Sequence, residues 1–180
     1  RSARRWGGIG RRDPAELTTD QGRAFLSDLA ALGTRMVILS GGEALMRPDA
    51  LELARHGGRA GLRMTLATNG ALATPEMARE IHASGIVRVS VSLDGVTPEV
   101  HDKLRGRPGA FELAVSGIEN LVRAGVEVQV NTTVAAMNVH QMQDFPAFID
   151  ALKAVAWHVF FLVPTGRGHD LAPATIQDYR

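Results

Sequence analysis

Gly41-Gly42-Glu43 follows directly on the apolar run Met36–Leu39 and is the first place in this sequence built to hold a ligand. Paired glycines let another group approach the backbone closely, because no Cβ stands in the way. A carboxylate beside them accepts hydrogen bonds from an ammonium group. Further polar sets recur along the chain: Thr68-Asn69-Gly70, then Ser90, Ser92 and Asp94, then Asn131 and Thr133, and last Val163-Pro164-Thr165-Gly166-Arg167-Gly168. Together they offer bare backbone, the carboxylates of Glu43 and Asp94 and several neutral hydrogen-bonding groups. That set suits a ligand carrying an amine, a ribose and a carboxylate. Taken singly, each also reads as a turn, since Asn-Gly and Asp-Gly are common turn dipeptides and Gly-Gly often only closes a tight loop. The histidines are scattered without ligand spacing and read as structural or surface groups.

What raises the sets above their members is that each ends a strand of a repeating unit. Met36 to Glu43 reads as a buried strand entering a loop. The spacing predicts further strands at residues 63–68, 87–94, 126–134 and 157–163. Between them lie helices with recognisable ends. Thr18 or Thr19 caps a helix with Phe25, Leu29 and Leu32 on one face, and Gly33 ends it. Pro48 starts a second, with Leu51 and Ala54 inward and Gly57-Gly58 as its stop. Thr74-Pro75-Glu76 opens a third, with Met77, Ile81 and Ser84 on one face before Gly85. Phe111, Val115, Ile118 and Val122 mark a fourth, ended by Gly125. A fifth is expected near His140 to Val155.

Alternating strands and helices with short connections give βα units and a parallel sheet. The expected fold is α/β, a partial (βα)6 TIM-like barrel, and strand parity is the reason. Val87, Val89, Val91 and Leu93 alternate with Arg88, Ser90, Ser92 and Asp94; Val126, Val128, Val130 and Val134 alternate with Glu127, Gln129, Asn131 and Thr133. A flat parallel sheet covered on both faces is apolar at both parities. Strands with one polar parity instead line a lumen that receives a ligand.

A hydrophobic fraction of 45% with 22% charged residues is ordinary globular composition, and a net charge of +1 gives no basic excess for nucleic acid or an anionic membrane. No signal peptide or long apolar run is found, so a cytoplasmic protein is expected. The five arginines of residues 1–14, with Trp6 and three glycines, read as a surface loop.

The order of motifs resembles the radical S-adenosylmethionine (SAM) superfamily. The residues that carry the likeness are Ser40-Gly41-Gly42-Glu43 with Leu45 and Arg47-Pro48-Asp49, then Thr68-Asn69-Gly70, then Val91-Ser92-Leu93-Asp94-Gly95 with His101 and Arg105. The likeness extends from about residue 13 to 168 and is nearest to members with a C-terminal SPASM or twitch extension. Phe160 to Gly168 looks like the sixth strand of the branch that includes haem-biosynthesis, haem d1 and peptide-modifying enzymes. The resemblance implies that Gly41, Gly42 and Glu43 hold the methionyl amino group of SAM. It implies that Ser92 and Asp94 meet its ribose or carboxylate, that Arg105 pairs with the carboxylate, and that Val163 and Pro164 flank adenine. Asn69 and Asn131 would line the lumen near the substrate.

The same resemblance implies a [4Fe–4S] cluster held by a CxxxCxxC loop, yet the chain contains no cysteine. Cluster ligation needs thiolates. The expectation is a barrel truncated at its first strand, with the cluster loop before Arg1; a parent that has lost the cluster is the alternative. Residues 1–14 would then follow the cluster segment, 15–168 would form the core, and 169–180 would begin a C-terminal extension. The intact parent would cleave SAM to a 5′-deoxyadenosyl radical that abstracts hydrogen from a peptide or tetrapyrrole-type substrate. Its electron would come from a donor such as a flavodoxin or ferredoxin, and the chain alone would be inactive. No catalytic residue and no metal ligand is assigned within the chain. A phosphate-binding TIM-barrel lyase or isomerase, or a non-catalytic peptide-binding barrel, are the rival readings; Lys103 and Lys153 lie at no strand end, which counts against the first.

Overall fold

The computed structural model describes residues 16–163 and 171–179. Thr18 opens the first helix, α1 (Thr19–Ala31), with a capping box: its hydroxyl accepts from the Gln21 N–H, and the Gln21 side chain accepts from the Thr18 N–H. There follow β1 (Met36–Leu39), a 3-10 turn at Ala44–Met46, α2 (Ala50–Arg59), β2 (Arg63–Thr68), α3 (Pro75–Ala83) and β3 (Arg88–Ser92). The second half comprises α4 (Pro98–Arg105), α5 (Ala110–Arg123), β4 (Glu127–Val134), a 3-10 turn at Val139–Gln141, α6 (Phe145–Ala151), β5 (Ala156–Phe161) and a last 3-10 turn at Ile176–Tyr179.

All five strands are parallel and pair in chain order, β1-β2-β3-β4-β5. A doubly wound sheet reverses its strand order at a switch point, whereas unbroken sequential order keeps successive crossover helices on one face. Burial agrees with the second case. Met64, Leu66, Val89, Val91, Val128 and Val130 are buried against the helices, while Thr65, Ala67, Ser90, Ser92, Gln129 and Asn131 on the opposite parity are half-buried. The chain is therefore an α/β partial barrel with a polar inner face.

The outer layer is held by Ile81, Ile118, Leu121 and Phe145, all fully buried. Phe145 stacks on Trp157 at 5.1 Å between ring centroids, and the Trp157 indole N–H donates to Thr132 Oγ1 at 2.9 Å. At Gly117 the helix α5 lies on the turn after β2. An added Cβ there would stand 2.4 Å from the Gly70 carbonyl oxygen, so only glycine permits this approach. Asn120 fixes the same turn by donating to the Ala73 carbonyl at 2.9 Å.

Several expectations are corrected. The inward face of α1 carries Gly22 and Leu26, whereas Phe25 and Leu32 are exposed; Gly22 lets Leu53 of α2 sit against it. Gly57 and Gly58 do not stop α2, which runs to Arg59: Gly57 is the place where Met64 packs on the helix, and the left-handed residue is Gly61. β1 is not a buried strand, because it pairs only with β2 among the described residues and leaves Met36 and Ile38 more than half exposed. The long connection before Phe111 contains α4, whose Thr97-Pro98-Glu99 start repeats the Thr74-Pro75-Glu76 signal and whose end is Gly106 at φ +64°. The expected helix at 140–155 is shorter, with a 3-10 turn first. The loops at residues 1–14 and 164–168 lie outside the described residues. No helix among the described residues is long and apolar enough to cross a membrane.

Candidate functional site

The C-terminal ends of β1 and β2 are joined by Glu43. Its Oε1 accepts the Leu45 N–H at 3.3 Å, its Oε2 accepts the Asn69 N–H at 2.9 Å, and the Thr68 hydroxyl lies 2.8 and 2.9 Å from the two oxygens. A carboxylate offers about four acceptor positions. Three protein donors hold Glu43 and leave room for one ligand donor. Beside it, Gly41 has φ +147°, and nothing lies within 4 Å of a Cβ added at Gly41 or Gly42. The loop thus presents open backbone next to a fixed carboxylate. Asn69 closes the turn by accepting the Ala71 N–H at Oδ1, 2.9 Å away, and Thr68 Oγ1 accepts the Gly70 N–H at 3.1 Å.

At the end of β3 the arrangement differs from the expectation. Asp94 is 1% exposed, so its carboxylate does not open onto the lumen. Its Oδ2 lies 2.6 Å from Arg105 Nη2, and its Oδ1 accepts the Thr133 N–H at 2.8 Å. Burial pushes this carboxyl up, against the pull of the Arg105 guanidinium and the Thr133 N–H. Arg105, a third exposed at its side chain, is held by Asp94.

The backbone of Asp94 is fixed just as firmly. Its N–H donates to His101 Nδ1 at 2.9 Å, and its carbonyl accepts from Asn138 Nδ2 at 2.7 Å. Burial holds His101 down to about 4, assisted by the Arg105 charge and opposed by Asp102, so the imidazole is neutral with its proton on Nε2. Asn138, fully buried, also donates to the Thr133 carbonyl at 2.8 Å and accepts the Ala135 N–H at 2.7 Å. The Gln141 side-chain oxygen accepts the Val96 N–H at 3.0 Å. Sequence reasoning passed over Asn138 and Gln141, which lie beyond the strand in a stretch without periodicity.

On the inner face, register sets Ser92 beside Asn131 and Asn131 beside His158. Gln129 Nε2 lies 2.7 Å from Asn131 Oδ1 and 3.1 Å from His158 Nδ1. At the strand starts Arg88 and Glu127 form an ion pair at 2.8 Å. His158 thus joins Asn131 on the inner face; the alternation of Ala156, His158 and Phe160 carries that signal only once the β4–β5 register is known. Of the expected site residues, Gly41, Gly42, Glu43 and Asn69 come together at one mouth, with Ser92 and Asn131 on the same inner face. Val163 is 69% exposed beyond β5, and Pro164 lies outside the described residues. Among the described residues no three histidine, aspartate or glutamate side chains gather as a metal site.

Comparison with known proteins agrees with this architecture. The model of the Radical SAM superfamily matches residues 3–152. An AdoMet-dependent heme synthase of Methanosarcina barkeri is 49% identical over 164 residues, which is 91% of this chain and 47% of the relative. The mycofactocin maturase MftC of Mycobacterium ulcerans is 38% identical over 163 residues, 90% of this chain and 44% of the relative. The chain spans about half the length of these curated relatives. Among solved structures, Streptococcus suis SuiB bound to S-adenosylmethionine superposes with a TM-score of 0.71 at 17% identity, over 83% of this chain and 35% of that one.

Proposed function

The chain belongs to the radical SAM superfamily, and on that premise we propose that its strand ends hold SAM above a lumen that receives the substrate. One observation carries this reading: the open backbone of Gly41-Gly42 stands beside a Glu43 carboxylate with an acceptor position to spare. The methionyl ammonium donates to Glu43 and approaches the bare glycines. The Ser92 hydroxyl meets the ribose or the carboxylate of SAM. Asp94 acts through Arg105, whose remaining N–H groups face the SAM carboxylate, because the Asp94 carboxylate itself is buried. Val163 and Pro164 flank adenine, and Asn69 and Asn131 border the substrate. Residues 15–168 constitute this core.

When bound, SAM supplies the 5′-deoxyadenosyl group from which the superfamily derives its hydrogen-abstracting radical. A [4Fe–4S] cluster does not fit these residues: its ligation needs thiolates, and the 180 residues contain no cysteine. No electron-transfer step is assigned to them. For the whole protein we propose hydrogen abstraction from a peptide or a tetrapyrrole-type small molecule, in the cytoplasm, with a flavodoxin or ferredoxin as electron donor. Curated relatives named as a heme synthase and a mycofactocin maturase support that pair of substrate classes.

Calorimetric titration of the chain with SAM tests the reading. Gly42 lies outside the left-handed region and has open space around its Cβ position, so Gly42→Val keeps the fold while filling the cradle. It should weaken SAM binding by roughly tenfold or more, the equivalent of one lost anchoring contact. A folded chain that takes up no SAM overturns the proposal. In the natural open reading frame expressed anaerobically, iron at about four atoms per chain would mark a thiolate-bound cluster.

A further inference from the structure

We infer that Arg63 determines substrate choice by holding a carboxylate borne on an apolar body, at the end of the lumen opposite the SAM cradle. The inference rests on the lumen receiving the substrate. Burial along β2 alternates, with Met64 and Leu66 against the helices, so Arg63 shares the inner parity with Thr65 and Ala67. It is exposed, begins the strand and lies beside Met36 in register. Thr68, whose hydroxyl meets Glu43 at the mouth, is five residues farther along β2, a distance of about 16 Å at about 3.3 Å per residue. Arg63 therefore stands clear of the Gly41-Gly42-Glu43 cradle and of Ser92 at the end of β3.

Charge decides what Arg63 can take. On the inner parity of the five strands the fixed charges are Arg63, Arg88 and Glu127, all at the strand starts. Arg88 gives Nε–H and Nη2–H to one Glu127 oxygen at 3.1 and 2.8 Å, so these two charges offset each other. Arg63, one inner position below the Thr65–Arg88 pair, meets no carboxylate among the described residues. Arg35, whose carbonyl accepts the Arg63 N–H at 2.8 Å, and Arg59, the last residue of α2, stand at the same end. Both are exposed and neither has an acidic partner among the described residues. A cationic ligand would be repelled here, since Glu127 is already matched by Arg88. A carboxylate meets an uncompensated planar guanidinium that can offer two parallel N–H donors. The apolar body follows from β1. Met36 and Ile38 lie on the inner parity beside Arg63 and Thr65 in register, and both are more than half exposed. A hydrocarbon laid on them leaves water while its carboxylate reaches Arg63 and its other end points to the mouth.

The test uses the 180-residue chain labelled with nitrogen-15 and sodium 4-phenylbutyrate as the probe, with 4-phenylbutyramide as the uncharged control. The carboxylate should move the Arg63 Nε–H and Met36 amide resonances along a saturating curve, and the amide should bind far more weakly. Arg63→Gln, at an exposed position, should raise the 4-phenylbutyrate dissociation constant roughly tenfold or more, about the loss of a charge-assisted hydrogen-bond pair. Arg59→Gln, at the same end but on the helix layer, should change it less than about twofold, the scale of a screened surface charge. A linear response, equal binding of the amide, or equal losses in the two variants overturns the inference. N-acetylglutamate α-amide, a carboxylate on a peptide backbone, should bind more weakly than 4-phenylbutyrate; the reverse order overturns the apolar class. SAM, titrated separately and read at the Gly42 amide, should bind Arg63→Gln as it binds the parent chain. Saturation by SAM without any by 4-phenylbutyrate rejects the Arg63 subsite and spares the SAM site; the converse supports the subsite and rejects the SAM site.

Discussion

Lowering the pH from 7 to 5 should destabilise the fold through one residue, His101. Its ring is 2% exposed, and burial followed by the Arg105 charge holds its pKa at about 4 rather than 6.5. The sign follows from which state binds the proton. Above pH 6.5 the ring is neutral folded or unfolded and contributes no pH dependence. Below 6.5 the unfolded chain takes up a proton that the folded chain refuses until about pH 4, so stability falls across that window. The loss is about 2 kcal/mol at pH 5 and about 3 kcal/mol at pH 4, at about 1.4 kcal/mol per pKa unit. Against a typical total stability of about 5–15 kcal/mol, that is readily measured. The Asp94 N–H stands in the way as well, since it donates to His101 Nδ1 at 2.9 Å and would confront a second N–H if that nitrogen were protonated. Urea denaturation at pH 7, 6 and 5, followed by circular dichroism, should show the decline in the parent chain. His101→Asn keeps an acceptor near the Nδ1 position but cannot titrate. It loses the edge contact with Phe111, at 6.1 Å between ring centroids, and so starts lower, yet its stability should change much less between pH 7 and 5. The other histidines are common to both chains and cancel in the difference. Equal losses in the two proteins would refute the assignment.

A second acid transition belongs to Asp49, 7% exposed. Burial raises its pKa, but the Thr19 hydroxyl and Arg47 outweigh that and bring it to about 2 from 3.8, so its stabilisation is present above pH 3.8 and lost as the pH falls toward 2. The size is about 2 kcal/mol, and Asp49→Asn should remove that part of the acid titration. Gly117→Ala should destabilise by about 2 kcal/mol despite the better helix propensity of alanine, because its Cβ meets the Gly70 backbone oxygen at 2.4 Å. Gly57→Ala should cost less, since the obstructing atom is the flexible Met64 sulfur; thermal melts of the two variants decide the order. Glu43→Gln places an amide N–H against a backbone N–H of Leu45 or Asn69 and should cost about 2 kcal/mol in denaturant unfolding, as well as weakening SAM binding.

The sequence alone determined the alternation of strands and helices apart from α4, the parallel sheet and the inner polar parity. Those depend on local signals: alternation of valine with polar residues in β3 and β4, the Thr74-Pro75 start, and glycines with positive φ at 33, 85 and 125. The motif order from Gly41 to Arg105 was legible in the same way, because each motif ends a strand. What the local pattern could not supply was the partner of each polar group. Glu43 meets Thr68 across 25 residues and Asp94 meets Thr133 across 39, and no periodicity encodes such pairings. The α1 face was misread for a related reason: Phe25 is more apolar than Gly22, but the closeness of α2 gives the buried position to the glycine. His158 looked like one more scattered histidine until register set it beside Asn131. Tertiary structure decided which carboxylate is sealed and which retains an acceptor position, because burial and hydrogen-bond saturation depend on neighbours that only the assembled sheet brings together.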